Sequence, residues 1–248
     1  MPYNVLATSK TPALIIYLLD VSASMNQDCG GRTRIDVVSH ALQKVAVKMV
    51  QRSTKGTIVA PRYRVAMYAY SSQVIDLLDG IKPIDELARM GVPRLTTLDM
   101  TDTAAAFAQA ERLLQAELPN LQDCPAPLIC HMTDGEYNGA DPTPIAQRIM
   151  AMGVPDGQVL IENIYVKAGA MSISDINTWP GILSEDELSD NYSKTLLRMS
   201  SVVPESYRSV MYEFGYQLSP GARMFFPGDQ PEIVELGFTM SGATPVTA

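Results

Sequence analysis

The sequence predicts an α/β fold: a doubly wound, mostly parallel central sheet flanked by helices. Three observations lead there. Ala13–Leu19, Leu128–Met132 and Val159–Val166 are nearly continuous apolar runs, the pattern of strands covered on both faces. Stretches of ten or more residues with helical spacing separate the strands, which implies right-handed crossovers in a parallel sheet. Of 248 residues, 46% are apolar and 19% charged, enough for a sizeable core without disulfides or structural metals.

The elements follow in order. Ala13–Leu19 is the first strand. From Ile35 the apolar side chains fall at Ile35, Val38, Leu42, Val45 and Met49, one stripe of an amphipathic helix. Arg64–Tyr70 reads as a second strand and Val74–Leu78 as a short third. Thr103–Leu118 reads as a helix with Phe107, Ala110, Leu114 and Leu118 on one face and Pro119 stopping it. Leu128–Met132 is the next strand. Asp141-Pro142 then opens a helix, an N-cap acceptor followed by proline at the first helical position, which ends near Gly153. Val159–Val166 is a further strand. Beyond residue 170, Glu185–Ser201 and Glu205–Tyr216 read as helices, Arg223–Phe226 as an edge strand and Pro231–Met240 as a last helix. No repeat or low-complexity linker divides the chain. The expectation is one domain over residues 1–248, with a core at about 12–167 and a C-terminal elaboration at about 168–248.

Charge and residue counts exclude several classes of function. Nineteen Lys and Arg against 27 Asp and Glu give a net charge of −8. A nucleic-acid binder needs a basic footprint, and so does a protein that docks on anionic membranes. Ala13–Leu19 is far short of the roughly 20 apolar residues of a membrane helix. Met1–Asn4 lacks the basic start of a signal peptide, so a cytoplasmic protein is expected. Three cysteines, Cys29, Cys124 and Cys130, make neither a disulfide framework nor a C-x-x-C zinc motif. Two histidines, His40 and His131, leave little material for a zinc site or a Ser-His-Asp centre. Cys130 and His131 are neighbours in a buried strand and point to opposite faces, the places of a core thiol and a hydrogen-bonded core histidine. His40 lies off the apolar face of its helix and reads as solvated.

Chemistry gathers at one edge of the sheet. The first strand runs into Asp20-Val21-Ser22-Ala23-Ser24, a D-x-S-x-S motif at its carboxyl end, where open parallel sheets bind ligands. The strand Leu128–Met132 ends the same way, in Thr133-Asp134-Gly135. Thr101, in the loop feeding the helix that begins near Thr103, lies on that edge too. Two carboxylates and three hydroxyls, Asp20, Asp134, Ser22, Ser24 and Thr101, form an all-oxygen set suited to a hard divalent cation, Mg²⁺ or Mn²⁺. The plainer alternative for D-x-S-x-S is a turn that caps the next helix. A divalent cation held there can accept an external carboxylate from a partner; Asp28, Asp99, Asp102, Glu136 and Asp141 add negative charge to the rim, so that partner acid is expected to be flanked by Lys or Arg. The loop Asn26–Arg34, with Gly30-Gly31, lacks the spacing of a phosphate-binding P-loop.

These motifs resemble those of von Willebrand factor type A domains with a metal-ion-dependent adhesion site, which combine D-x-S-x-S, a distant Thr and a distant Asp-Gly. Here these fall on Asp20, Ser22, Ser24, Thr101 and Asp134. The likeness covers about residues 12–167 well and the remainder loosely. Asp20–Met25 and Met132–Glu136 are most similar to intracellular bacterial members associated with tellurium resistance and stress response, often linked to a protein kinase and phosphatase. The family often places two glycines before its threonine; this chain has Asp99-Met100, which leaves Thr96, Thr97 and Thr103 as competitors of Thr101. The resemblance implies that both serines and the threonine coordinate the metal, with the aspartates binding directly or through water.

The function expected is that of a non-enzymatic module in which a partner's Asp or Glu completes the metal's coordination. One alternative is a structural scaffold whose metal staples the loops. Another is a haloacid-dehalogenase-like phosphotransferase with Asp20 as nucleophile, but that chemistry needs an acid two residues later, where Ser22 stands.

Overall fold

The computed structural model describes residues 2–135, 137–167, 169, 171, 173–228 and 230–247. Its central sheet is built on β1 (Ala13–Asp20), whose eight residues are all buried. β2 (Tyr63–Tyr70) pairs with it in parallel on one side. β3 (Val74–Asp76) and β4 (Lys82–Pro83) fold back antiparallel onto β2. On the other side lie β5 (Leu128–Thr133), β6 (Leu160–Tyr165) and β7 (Phe225–Pro227), all parallel. The spatial order is β7-β6-β5-β1-β2-β3. The direction of winding reverses between β1 and β5, so the crevice beyond their carboxyl ends is the switch point at which doubly wound sheets bind ligands.

Helices α1 (Arg34–Ser53), α2 (Ile84–Met90), α3 (Thr103–Glu117), α4 (Thr143–Ala151), α5 (Asn191–Arg198), α6 (Glu205–Glu213) and α7 (Pro231–Ser241) surround the sheet. Alternation along β1 divides the core in two. Ile15, Tyr17 and Leu19 pack with residues of α1, α2 and α7; Leu14, Ile16 and Leu18 pack with residues of α3 and α4. The predicted α1 stripe, Ile35 to Met49, is buried at all five positions, as are Phe107, Ala110 and Leu114 of α3.

Element boundaries depart from the sequence reading in a few places. α3 ends at Glu117, one residue before the expected Leu118, and Pro119 lies inside the 3₁₀ turn Leu118–Asn120 that follows it. Asp141 accepts the Thr143 amide at 2.9 Å, but Pro142 holds the N-cap position and α4 starts at Thr143. The helix expected over Glu185–Ser201 is two pieces. Ser184 and Glu187 form a capping box that closes a single turn, Glu185–Glu187, and Leu188 is extended. Asp190 then starts α5 by accepting the Ser193 amide at 3.0 Å. The seven-residue α2 was not expected, being too short for a periodic signal.

The C-terminal third joins the sheet. β7 takes the edge beside β6, and α7 packs over both next to α1. A Cβ at Gly237 would stand 2.6 Å from Ile164 Cγ1, so glycine is what lets α7 approach β6 this closely. Lys44 and Lys48 of α1 reach Glu235 (2.6 Å) and Thr239 (2.9 Å), and Arg52 donates to the Gly242 carbonyl at the end of α7. Among the described residues no helix is long and apolar enough to cross a membrane.

This arrangement makes the chain's one tryptophan a reporter. Trp179 packs edge-on to Phe226, with ring centroids 6.1 Å apart. Urea unfolding followed by Trp179 fluorescence and by far-UV circular dichroism should give coincident transitions if the C-terminal third folds with the sheet. Phe226→Ala should move both by about 3–5 kcal/mol. Two separated transitions would divide the chain into independent units.

Candidate metal centre

β1 and β5 deliver the two acids. Leu19 faces Met132 in the parallel register, which sets Asp20 beside Thr133 and places Asp134 one residue beyond. Both aspartates are almost wholly buried. Asp20 Oδ1 accepts the Ser22 amide at 2.9 Å, and its Oδ2 accepts the Thr133 hydroxyl at 2.7 Å. Burial outweighs these donors and, with the Asp134 charge nearby, pushes the Asp20 pKa up to about 6. Gly135 follows at φ +86°, and a Cβ there would meet Tyr165 Cε2 at 2.7 Å, so the turn after Asp134 requires glycine.

The serines follow from a tight turn. Ala23–Asn26 is 3₁₀, with Met25 buried beneath it. The Ser22 and Ser24 hydroxyls hydrogen-bond to each other at 3.0 Å. Adjacent oxygens around an octahedral Mg²⁺, with bonds of 2.0–2.1 Å, would be separated by about 3.0 Å. The donor chemistry and this spacing fit a hard cation. The capping alternative fails for α1, because Thr33 caps that helix by accepting the Asp36 amide.

Thr101 is brought to the same edge by backbone bonds. Leu98 donates to the Val21 carbonyl (2.6 Å), Ala23 to Asp99 (3.0 Å), Asp102 to Ser71 (2.8 Å) and Asn138 to Thr101 (2.9 Å). The loop thus lies between the D-x-S-x-S turn and the segment after Asp134. Thr101 is buried, and its amide donates to Asn138 Oδ1 at 3.4 Å. Its competitors are otherwise placed. Thr96 is exposed, Thr97 accepts from Asn26 at 2.8 Å, and Thr103 is the first residue of α3, against the Tyr70 phenol. Asp102, not Thr103, caps α3, accepting the Ala105 amide at 2.9 Å.

Two contributors escaped the sequence reading. Thr133 is one; it orients Asp20. Arg34 is the other. This first residue of α1 donates from Nη1 to Asp134 Oδ2 at 2.9 Å and to the Ser24 carbonyl at 3.3 Å, with both side chains under 10% exposed. A signal existed: a cation in the first turn opposes the helix dipole, so it needs an acid elsewhere to hold it. Two acids of the expected rim are oriented by backbone amides. Asp102 and Asp141 use a carboxylate oxygen on helix amides, and Asp28 and Asp99 are exposed. Glu136 lies outside the described residues.

The remaining titratable residues read as expected. His131 is fully buried, between Asn163 Oδ1 (2.7 Å at Nδ1) and the Tyr70 hydroxyl (2.7 Å at Nε2). Asn163 Nδ2 donates to the Leu196 carbonyl at 3.2 Å, so its Oδ1 faces the histidine; Nδ1 carries the proton and Nε2 accepts from Tyr70. Burial lowers the His131 pKa to about 4. Cys29, Cys124 and Cys130 are buried and form no disulfide among the described residues, and His40 is exposed.

No protein-family model and no curated protein sequence matches the chain. Solved structures do resemble it. An aerotolerance-related membrane protein from Bacteroides fragilis is 15% identical over 75% of this chain and 86% of its own, with a TM-score of 0.50. Proximal thread matrix protein 1 from the mussel byssus is 13% identical over 93% of this chain and 48% of its own, with a TM-score of 0.52. The vWF domain of the type V pili tip protein Mfa5 from Porphyromonas gingivalis is 20% identical over 52% of this chain and 39% of its own, with a TM-score of 0.41. At these identities the likeness concerns architecture alone. The chain has the fold of a von Willebrand factor A domain.

The raised Asp20 pKa makes a pH prediction. A carboxyl lifted from 3.8 to about 6 holds its proton more tightly in the folded than in the unfolded chain. The stability this contributes is full below about pH 4 and is lost as pH rises through 6, a change on the order of 3 kcal/mol. Urea unfolding of metal-free protein across this range should show the loss, and Asp20→Asn should flatten it. An unchanged profile in the Asn variant would assign the dependence to another group.

Proposed function

We propose that the chain is a non-enzymatic protein-interaction module whose site takes up Mg²⁺ or Mn²⁺ and, through it, a partner's Asp or Glu. What carries the reading is the convergence of two buried carboxylates and three hydroxyls at the switch point of the sheet. Asp20, Ser22, Ser24, Thr101 and Asp134 would hold the ion. A bound divalent cation supplies an electrophilic centre that an external carboxylate can join as a further ligand. The side chains around this edge include exposed Leu98, Met100 and Tyr192, so the partner's acid would enter a rim with apolar as well as charged contacts. A cytoplasmic setting in stress or tellurium-resistance signalling, beside a kinase or phosphatase, rests on the likeness of Asp20–Met25 and Met132–Glu136 to intracellular bacterial members.

One observation weighs against the stapled-scaffold alternative. The loop 98–102 is tied to the D-x-S-x-S turn and to Ser71 by its own backbone hydrogen bonds, so the loops do not need a metal to meet. For phosphotransfer from Asp20, the group two residues on is the Ser22 hydroxyl, which cannot act as a general acid near neutral pH.

Calorimetric titration with Mg²⁺ or Mn²⁺ should show one site that Asp20→Ala abolishes, with far-UV circular dichroism unchanged; surviving affinity would move the site elsewhere. Metal should also raise the melting temperature, by about 2.7 kcal/mol of stability at 100 times the dissociation constant. Chelated protein should stay folded, and wholesale unfolding on chelation would favour the scaffold.

A further inference from the structure

We infer that Arg34 is a tethered cation that competes with the divalent metal for Asp134, and so sets the metal affinity of the site. This rests on the metal-centre reading and adds a regulator to it. The guanidinium lies against the ligand set: Nη1 donates to the Asp134 carboxylate, one of the groups that would hold the ion, at 2.9 Å, and to the backbone carbonyl of Ser24 at 3.3 Å. It supplies one positive charge where two buried carboxylates lie, and it reaches only one of them. Asp20 is left to amide and hydroxyl donors.

Its position is a compromise in two further respects. Arg34 begins α1, so its charge sits at the end of the helix where the dipole disfavours a cation. Its Nε is buried and has no hydrogen-bond partner among the described residues, a cost that leaving the pocket would relieve. A divalent ion at Asp20 and Asp134 would place a second positive charge at the same carboxylate, in a setting with little water to screen the repulsion. The ion removes the reason for the guanidinium to be there, and the long, flexible arginine side chain allows it to withdraw toward solvent. Metal entry and Arg34 release are therefore one exchange.

Removing the charge should strengthen metal binding. The test is calorimetric titration of Mn²⁺, and separately Mg²⁺, into wild type, Arg34→Met and Arg34→Lys, each checked by circular dichroism. Arg34→Met should bind Mn²⁺ at least tenfold more tightly than wild type, whereas Arg34→Lys should stay near wild type. Without metal, Arg34→Met should melt below wild type, because Asp134 loses its counter-charge, and saturating Mn²⁺ should narrow that gap. Should Arg34→Met not fold, Arg34→Gln reads the same difference. Equal or weaker Mn²⁺ binding in the uncharged variant, with wild type still binding, overturns the competition and leaves the metal centre standing. Absence of binding in both wild type and the uncharged variant overturns the metal centre, and the competition with it.

Discussion

Two carboxylates held out of water at the ends of adjacent strands impose the main constraint on this molecule. Ionised acids are not buried without compensation, and two together repel. Each residue near Asp20 and Asp134 answers some part of that cost. The Ser22 amide and Thr133 hydroxyl donate to Asp20, and Arg34 pairs with Asp134. The turn after β1 and the glycine after Asp134 fix the backbone so that these donors are in reach.

The same fold shows a different answer to the same problem. Glu162 is fully buried in β6, opposite Cys130 of β5, and neither carboxyl oxygen has a hydrogen-bond partner among the described residues. Burial pushes its pKa far up, which keeps it protonated and neutral. Asp134 sits beside a guanidinium, and Asp20, given donors but no cation of its own, titrates near 6. Charge is retained where a counter-ion or a ring of donors is provided. That contrast separates a buried acid of the sheet interior from the pair at its edge.

The core and the site share their supports. β1 donates alternate side chains to two apolar layers and then, without a break, the first acid of the site. α1 buries Ile35 to Met49 against the sheet, pairs with α7 through Lys44, Lys48 and Arg52, and begins with the arginine that reaches Asp134. Whatever moves the N-terminal end of α1 therefore moves a charge within the site. The rigid sheet fixes Asp20 and Asp134 relative to each other, while the loop carrying Thr101 is held by a few backbone hydrogen bonds.

The sequence by itself determined the strands and the long helices, and it pointed to the five oxygen-bearing residues proposed to hold a metal. Each of those signals is local or periodic: an apolar run, a 3.6-residue stripe, a motif at a strand's end. It also set His131 apart as a core residue, since it and Cys130 are neighbours in a buried strand and point to opposite faces. Its errors came where short-range chemistry outvoted periodicity, as at Ser184 and Asp190, whose side chains start two separate turns inside what reads as one helix. Only the tertiary structure decided which hydroxyls are engaged elsewhere and which charges meet. Thr101 is distinguished from Thr97 and Thr103 by Asn26 and Tyr70, which lie far from it along the chain. Asp102 and Asp141 of the expected acidic ring are held in place by amides of their own helices. Arg34 and Asp134 are a hundred residues apart in sequence and 2.9 Å apart in space. No periodicity encodes such a pair, because it exists only once β1 and β5 lie side by side and α1 is packed against them.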